Sequence, residues 1–328
     1  MKNIQADIKS GNFKQVYLLY GEEAYLKQQY KQNLVKALNP DGDTMNFNHY
    51  EGKGIDVKQL IDLCETMPFF AERRVVLLED TGFFKNKCEE LADYMKELPD
   101  YLYLVFAETE VDKRNRMYKA VKACGSIAEF IRQDEKTLMR WAAGILGKAG
   151  KKITQRDMEL LLTKTGTDMG NLRMEMEKLI SYTEGRDVVT AEDIEEICTT
   201  QITNRIFDMV RAVTEKNQKR ALELYYDLLT LKEPPMRILF LLAKQYRQLL
   251  LAKQFAAAGL AQTEIASKLG VPGFVVRNIT TCARAYTISE LEQAVKDFVD
   301  AEESVKTGRL EDKLSVELLI IKYSSKVK

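Results

Sequence analysis

Residues 21–28 carry part of the pattern of a phosphate-binding loop. Such a loop reads G-x-x-x-x-G-K-[ST], with backbone amides around the phosphates, a lysine that neutralises them and a hydroxyl that binds magnesium. In this register Gly21 and Lys27 are present, whereas Leu26 replaces the second glycine and Gln28 replaces the hydroxyl residue. We therefore interpret the segment as a degenerate phosphate loop and expect no useful ATP binding.

Two acidic pairs also argue against a working nucleotide site. Glu22 and Glu23 would lie where the triphosphate charge must go, and like charges repel. Glu79 and Asp80 end a predicted strand, where an ATPase could hold magnesium. Without a phosphate loop to share the metal, we interpret this second pair as solvated surface. The sequence thus predicts no catalytic residue, no metal and no cofactor.

Histidine and cysteine offer little further chemistry. The single histidine, His49, lies in a segment that alternates with aromatic residues, which favours a strand position over a catalytic one. The five cysteines are widely spaced, odd in number and contain no C-x-x-C pair. We expect reduced, mostly buried thiols rather than a zinc site or a disulfide framework. They are Cys64, Cys88, Cys124, Cys198 and Cys282.

Composition indicates a folded protein. Of 328 residues, 45% are apolar and 30% charged, with only 17 glycines and 6 prolines, which excludes collagen-like and disordered classes. No apolar run approaches the roughly 18 residues of a membrane span, and the N-terminus turns polar at once. We therefore expect a cytoplasmic protein without membrane contact. Net charge is zero, but the last third is mildly basic, which permits contact with nucleic acid.

The first 135 residues alternate short β-prone runs with helical stretches. A helix is expected from the first strand to about Ala37, and another over residues 57–67. Strands separated by helices predict a parallel sheet covered on both faces, an architecture common among nucleotide-binding proteins. The predicted strands are 16–20, 46–51, 74–79, 101–106 and 126–131.

Strand patterns disappear from about Asp134 onward. Residues 136–202 predict a small helical module, and after the polar stretch 199–201 a larger all-helical region fills 203–328. The plan is therefore α/β plus all-α, with domains at 1–135, 136–202 and 203–328. The predicted helices are 153–165, 168–182, one opening at Thr190, 204–214, 218–230, 234–257 and four shorter ones.

Six segments, in order along nearly the whole chain, resemble the delta subunit of the bacterial DNA polymerase III clamp loader. No segment decides the matter alone, but the ordered set is specific. They are Tyr17–Glu23, Met67–Arg74, Glu110–Arg114, Gly166–Leu172, Ile202–Phe207 and Val305–Leu310.

The resemblance implies an AAA+-like domain, a lid and a helical collar that joins a circular hetero-pentamer. In that family delta lacks ATPase activity, so it is a non-catalytic part of the polymerase holoenzyme, a DNA-directed DNA polymerase. It binds the ring-shaped sliding clamp (beta) and opens it for loading on primed DNA. Its implied partners are the motor subunits (tau/gamma) and delta prime, within a cytoplasmic, nucleoid-associated replisome.

The resemblance also places the clamp-binding element at Met67, Pro68, Phe69 and Phe70. Adjacent phenylalanines cannot both face one core from a regular helix, and a proline interrupts the helix, which favours a projecting turn. The alternative is that both rings cover the edge of the sheet.

The residues by themselves are compatible with two other functions. One is a self-sufficient AAA+-type ATPase with an unusual phosphate loop. The other is a DNA-binding protein, because residues 262–272 resemble the opening of a helix-turn-helix and 262–284 would be the binding unit. The apolar residues that follow favour a packing role for this helix pair.

Overall fold

The computed structural model describes residues 2–200 and 202–325. Met1, Gln201 of the predicted linker 199–201 and the last three residues of the predicted third domain lie outside it. The chain divides between Gln133 and Asp134 into two compact units. The further division of the second unit into a module at 136–202 and a domain at 203–328 stays a prediction.

Five parallel strands form the sheet of the first unit, which confirms the predicted fold class. Their order is β2-β3-β4-β1-β5, so the first strand lies inside the sheet. Four bounds differ from the prediction: β2 and β4 each begin one residue later than predicted, β4 continues two residues beyond Phe106, and β5 ends before Ile131, whose side chain is exposed. The strands are β1 (Val16–Tyr20), β2 (Phe47–Glu51), β3 (Arg74–Glu79), β4 (Leu102–Glu108) and β5 (Ser126–Glu129).

Each face of the sheet carries its own core. Alternate side chains of a strand point to opposite faces, and in β1 Leu18 joins one hydrophobic cluster while Leu19 joins the other. The first two helices cover the Leu19 face, and the next three cover the Leu18 face. They are α1 (Lys2–Ser10), α2 (Ala24–Leu38), α3 (Val57–Glu65), α4 (Glu89–Tyr94) and α5 (Arg116–Cys124).

Helix α3 ends at Glu65, two residues before the predicted end at Met67. Thr66 is already extended, with ψ of 122°. A proline disfavours helical geometry in the residue before it, so Pro68 also takes Met67 out of the helix. The early end lengthens the segment that connects α3 to β3.

The second unit is mainly helical but contains one short sheet that the sequence did not predict. Two strands of two residues each, β6 (Lys152–Ile153) and β7 (Val188–Val189), pair in parallel. The expectation that strands end before Asp134 was therefore wrong, because two residues cannot show a period. The preceding helix is α6 (Glu135–Lys148), and between the strands lie α7 (Gln155–Thr165) and α8 (Met169–Tyr182).

The predicted helix opening at Thr190 is confirmed. Thr190 caps α9 (Ala191–Ile197) and forms a reciprocal capping box with Asp193. The following helices fall close to their predicted bounds, and four of them follow the longest one. They are α10 (Ile202–Thr214), α11 (Gln218–Thr230), α12 (Pro235–Ala257), α13 (Gln262–Leu269), α14 (Gly273–Ala283), α15 (Ile288–Lys306) and α16 (Asp312–Ser324).

One hydrophobic cluster unites the helices α10 to α16. The helix pair α13 and α14 takes part in it, since Val276 and Ile279 on α14 are fully buried. The apolar face of α14 is therefore used for packing, as predicted. Within 2–200 and 202–325, no helix is long and apolar enough to cross a membrane.

Candidate functional site

The degenerate phosphate loop is too short to surround a phosphate. Only three residues, Gly21 to Glu23, separate β1 from α2, whereas the motif has six residues, its two glycines included, before the lysine. Leu26, Lys27 and Gln28 consequently lie in α2 itself. The amide of Glu23, which a phosphate would need, donates to the carbonyl oxygen of Phe130 at 3.0 Å.

Lys27 is engaged inside the protein. Its Nζ donates to the carbonyl oxygen of Glu108 at 2.9 Å and lies 3.4 Å from the hydroxyl of Thr109. Burial lowers the pKa of Lys27 from its ordinary value. Glu22 is exposed and pairs with Arg132 at 3.4 Å. Instead of facing a phosphate, the ammonium group of Lys27 thus makes a hydrogen bond to the end of β4.

The acidic residues at the end of β3 have different surroundings. Glu79 is half-buried, and its carboxylate accepts from Lys31 Nζ at 2.6 Å and lies 2.9 Å from His49 Nε2. The interpretation of this pair as solvated surface was wrong for Glu79, because α2 brings a lysine over the end of the sheet. Asp80 is exposed and accepts from the amide of Thr109 at 2.9 Å. His49 lies in β2, as predicted.

A buried carboxylate that sequence reasoning missed lies next to this cluster. Glu108 at the end of β4 accepts from the amide and hydroxyl of Thr81, at 3.1 Å and 2.5 Å, and from the amide of Gly82. Burial raises the pKa of Glu108 despite these donors. Glu108 therefore ties the turn after β3 to β4. Among the described residues, no group of three His, Cys, Asp or Glu side chains could hold a metal.

The predicted clamp-binding residues lie on the segment between α3 and β3, residues 66–73, which we call the aromatic turn. Met67 and Phe69 are exposed, and Phe70 is 94% exposed. The two rings contact each other edge to face, with centroids 4.5 Å apart. Pro68 is half-buried. The alternative in which both rings cover the edge of the sheet is therefore wrong.

Two buried polar side chains hold the backbone of the aromatic turn. Arg74 at the start of β3 donates to the carbonyl oxygen of Thr66 at 2.8 Å and to that of Met67 at 3.3 Å. Asn46, just before β2, bonds both the amide and the carbonyl of Phe69, at 2.7 Å and 2.8 Å. Sequence reasoning missed this role, since its only signal was a polar residue at each strand start.

The backbone of Phe70 is strained. Its φ is +49°, in the left-handed region that bulky residues seldom adopt. Such strain concentrates at functional sites, where the surrounding structure maintains it. An exposed pair of aromatic rings carried on a strained backbone is suited to enter an apolar pocket on another protein.

Comparison with known proteins decides the family. The model described as DNA polymerase III, delta subunit matches residues 17–130, and that of the DNA polymerase III delta subunit, C-terminal domain matches residues 203–323. Together they span more than two thirds of the chain. The chain belongs to the DNA polymerase III delta subunit family. The resemblance drawn from the six sequence segments is confirmed.

Relatives of this delta-family chain match it along most of its length. DNA polymerase III subunit delta of Bacillus subtilis (strain 168) is 26% identical over 332 residues, covering 97% of this chain and 95% of that protein. Probable DNA polymerase III subunit delta of Aquifex aeolicus (strain VF5) is 22% identical over 270 residues, covering 78% and 75%. The degenerate loop and the aromatic turn both lie inside the matched region 17–130.

A solved structure agrees in fold. The Bacillus subtilis DNA clamp loader delta protein (YqeN) aligns with a TM-score of 0.68 and 24% identity, and the alignment covers 99% of both chains. The parallel sheet followed by helices is therefore the fold of a clamp-loader delta protein. This agreement in fold accords with membership of the DNA polymerase III delta subunit family.

Proposed function

We propose that this protein binds the sliding clamp (beta) through Met67, Pro68, Phe69 and Phe70 and opens its ring for loading on primed DNA. The observation that carries the proposal is the exposed ring pair on the aromatic turn, in a chain of the delta family. Aromatic side chains that fill a pocket supply much of the affinity of protein interfaces.

The protein does this without hydrolysing ATP itself. Three residues between β1 and α2 cannot surround a triphosphate, and Lys27 is bound to the carbonyl oxygen of Glu108. Motor subunits (tau/gamma) supply ATP hydrolysis and, with delta prime, complete a hetero-pentamer. The polymerase activity belongs to the holoenzyme, in which this chain is a non-catalytic subunit.

The three-domain plan follows from the same proposal. Residues 1–135 carry the clamp-binding element, residues 136–202 form the lid, and residues 203–328 form the collar that joins the pentamer. The hydrophobic cluster of α10 to α16 draws only on residues 202–323, which supports a separate collar. The assembly works in the cytoplasm, at the nucleoid-associated replisome.

The test is direct binding to the sliding clamp from the same genome. The full-length protein, immobilised through its C-terminus, should retain the clamp in a pull-down and lose it on Phe69→Ala/Phe70→Ala. Retention of the clamp by the folded double variant would show that the binding element lies elsewhere.

The two rival functions have their own readouts. A self-sufficient ATPase would bind a fluorescent ATP analogue at micromolar concentration in a magnesium-dependent manner, and we expect no such binding. A helix-turn-helix DNA-binding protein would shift one DNA sequence selectively in a mobility-shift assay. Its binding would tolerate salt, because added salt weakens contacts to phosphates more than contacts to bases. We expect no base-specific shift by the isolated chain.

A further inference from the structure

The side chain of Asn46 is tied to the backbone of a residue that lies 23 positions further along the chain. Its Oδ1 accepts from the amide of Phe69 at 2.7 Å, and its Nδ2 donates to the carbonyl oxygen of Phe69 at 2.8 Å. Nδ2 also donates to the carboxylate of Asp43 at 2.5 Å. Asn46 is only 3% exposed, so these bonds replace water that it cannot reach.

This double hydrogen bond fixes the residue that precedes the strained one. Both backbone polar groups of Phe69 are held by a single side chain, and the next residue, Phe70, has φ of +49°. A left-handed conformation in a bulky residue is energetically unfavourable and persists only where neighbouring contacts impose it. Asn46, which lies in a different segment of the chain, supplies such a contact through the neighbouring Phe69.

A second support of the aromatic turn comes from Arg74, which makes other contacts as well. Arg74 bonds the carbonyl oxygens of Thr66 and Met67, and it reaches Asn48 on β2 as well. Removing this buried guanidinium would leave several carbonyls without donors. Asn46, in contrast, acts on Phe69 directly, at the position next to the exposed ring.

We propose that Asn46 is the positioning residue of the clamp-binding element. By holding Phe69 before any partner arrives, it keeps the ring pair projecting into solvent, so binding does not have to order the turn. Ordering a residue on binding costs conformational entropy, and binding to a preformed turn avoids this cost. This inference rests on the proposed function, because it concerns affinity for the sliding clamp.

A matched control, Asn39, lies four residues before Asp43, the aspartate that Asn46 contacts. The side chain of Asn39 makes the same pair of hydrogen bonds to the backbone of Asp43: it accepts from the amide at 3.0 Å and donates to the carbonyl oxygen at 2.9 Å. These two side-chain hydrogen bonds lie within the segment between α2 and β2. Asn39→Ala therefore loosens that segment without removing a bond to the aromatic turn.

The experiment compares four full-length variants with the wild type for clamp binding by surface plasmon resonance. They are Asn46→Ala, the isosteric Asn46→Asp, Asn39→Ala and Phe69→Ala/Phe70→Ala, each studied below its melting temperature. Asn46→Asp keeps the acceptor for the Phe69 amide but lacks the donor for its carbonyl. Hydrogen–deuterium exchange of the Phe69 amide reports the state of the turn without any partner.

We expect Asn46→Ala to weaken clamp binding about tenfold, Asn46→Asp to weaken it by a smaller factor, and Asn39→Ala to stay within about twofold of wild type. The Phe69 amide should exchange faster in Asn46→Ala only. Wild-type affinity in folded Asn46→Ala, with binding lost in the Phe69→Ala/Phe70→Ala variant, would overturn the inference and leave the proposed function standing. Equal losses in Asn39→Ala and Asn46→Ala would also overturn it, since general loosening would then suffice. Clamp binding that survives the double substitution would overturn the inference together with the proposed binding element.

Discussion

The carbonyl oxygen of Phe130 lies directly against Gly21, at the end of β1. A Cβ added to Gly21 would come within 2.3 Å of that oxygen, and the φ of Gly21 is +125°. The segment after β5 therefore closes over the site where a phosphate loop would open. The close approach requires glycine for a structural reason, although glycine is also the first residue of the phosphate-loop pattern.

Replacing this glycine should destabilise the first unit. Gly21→Ala introduces both a collision and an unfavourable φ, and we expect the free energy of unfolding to fall by about 2 kcal/mol or more. Gly144→Ala in α6 is the control, since nothing lies within 4 Å of its added Cβ and helix propensity favours alanine. Urea denaturation of both variants measures the difference. Equal stability of Gly21→Ala and wild type would contradict the close approach.

Restoring the motif residues should not restore ATP turnover. Leu26→Gly/Gln28→Thr returns the consensus letters, but both positions lie in α2 and Lys27 stays bound to the carbonyl oxygen of Glu108. Glu22 and Glu23 also remain beside the site. We expect no protein-dependent phosphate release and no magnesium-dependent binding of a fluorescent ATP analogue. Measurable release above a wild-type blank would refute this account.

The paired rings should contribute most of the clamp affinity and little of the stability. Burying each ring in a pocket is worth roughly 1.5–3 kcal/mol, so Phe69→Ala/Phe70→Ala should weaken binding by about two to four orders of magnitude. Phe240→Ala serves as the control, because that ring is 62% exposed on α12.

Surface plasmon resonance measures the affinity, and thermal melting followed by circular dichroism measures the stability. Since Phe70 is almost fully exposed, the melting temperature should change little. A large drop in melting temperature would instead mean that the rings contribute to the fold.

Asp297 on α15 should make the collar region sensitive to acid. Burial favours the protonated form, but hydrogen bonds from Lys322, Tyr323 and Gln293 outweigh it and hold the pKa of Asp297 below its usual value. A depressed folded pKa gives stability that is present above the unfolded pKa of about 3.9 and is lost as pH falls below it.

The expected signature is a difference in melting temperature between wild type and Asp297→Asn that is largest near neutral pH and shrinks below about pH 4. Asp300→Asn, on the exposed side of the same helix, should show little difference at any pH. A pH-independent gap between wild type and Asp297→Asn would show that the effect is one of packing and not of charge.

The collar residues should assemble without the rest of the chain. All members of the hydrophobic cluster of α10 to α16 lie between Ile202 and Tyr323, so a fragment of residues 203–328 keeps nearly the whole core. We expect it to co-elute with the motor subunits in size-exclusion chromatography, whereas residues 1–202 should not. Assembly through residues 1–202 alone would place the interface in the other fragment.

Much of the fold follows from the sequence because its signals are local. An unbroken apolar run such as 16–20 predicts a buried strand, and Thr190 with Asp193 predicts a helix start, since the bonds involved join near neighbours. The degenerate loop could also be recognised from the sequence, because Leu26 and Gln28 cannot replace the glycine and the hydroxyl residue of the motif in any fold. The two-residue strands β6 and β7 left no such local signal, because they pair with each other across distant positions in the sequence.

The candidate site depended on contacts between distant segments. The sequence, through its resemblance to the family, pointed to Met67, Pro68, Phe69 and Phe70, and Pro68 predicted a break in the helix. Only the tertiary structure decided that the rings project into solvent and that the turn is held, because Asn46 lies 23 residues away. The same holds for Glu79, which pairs with Lys31 across 48 residues. Residue types specify which bonds a side chain can make, but the chain path decides which partner it meets.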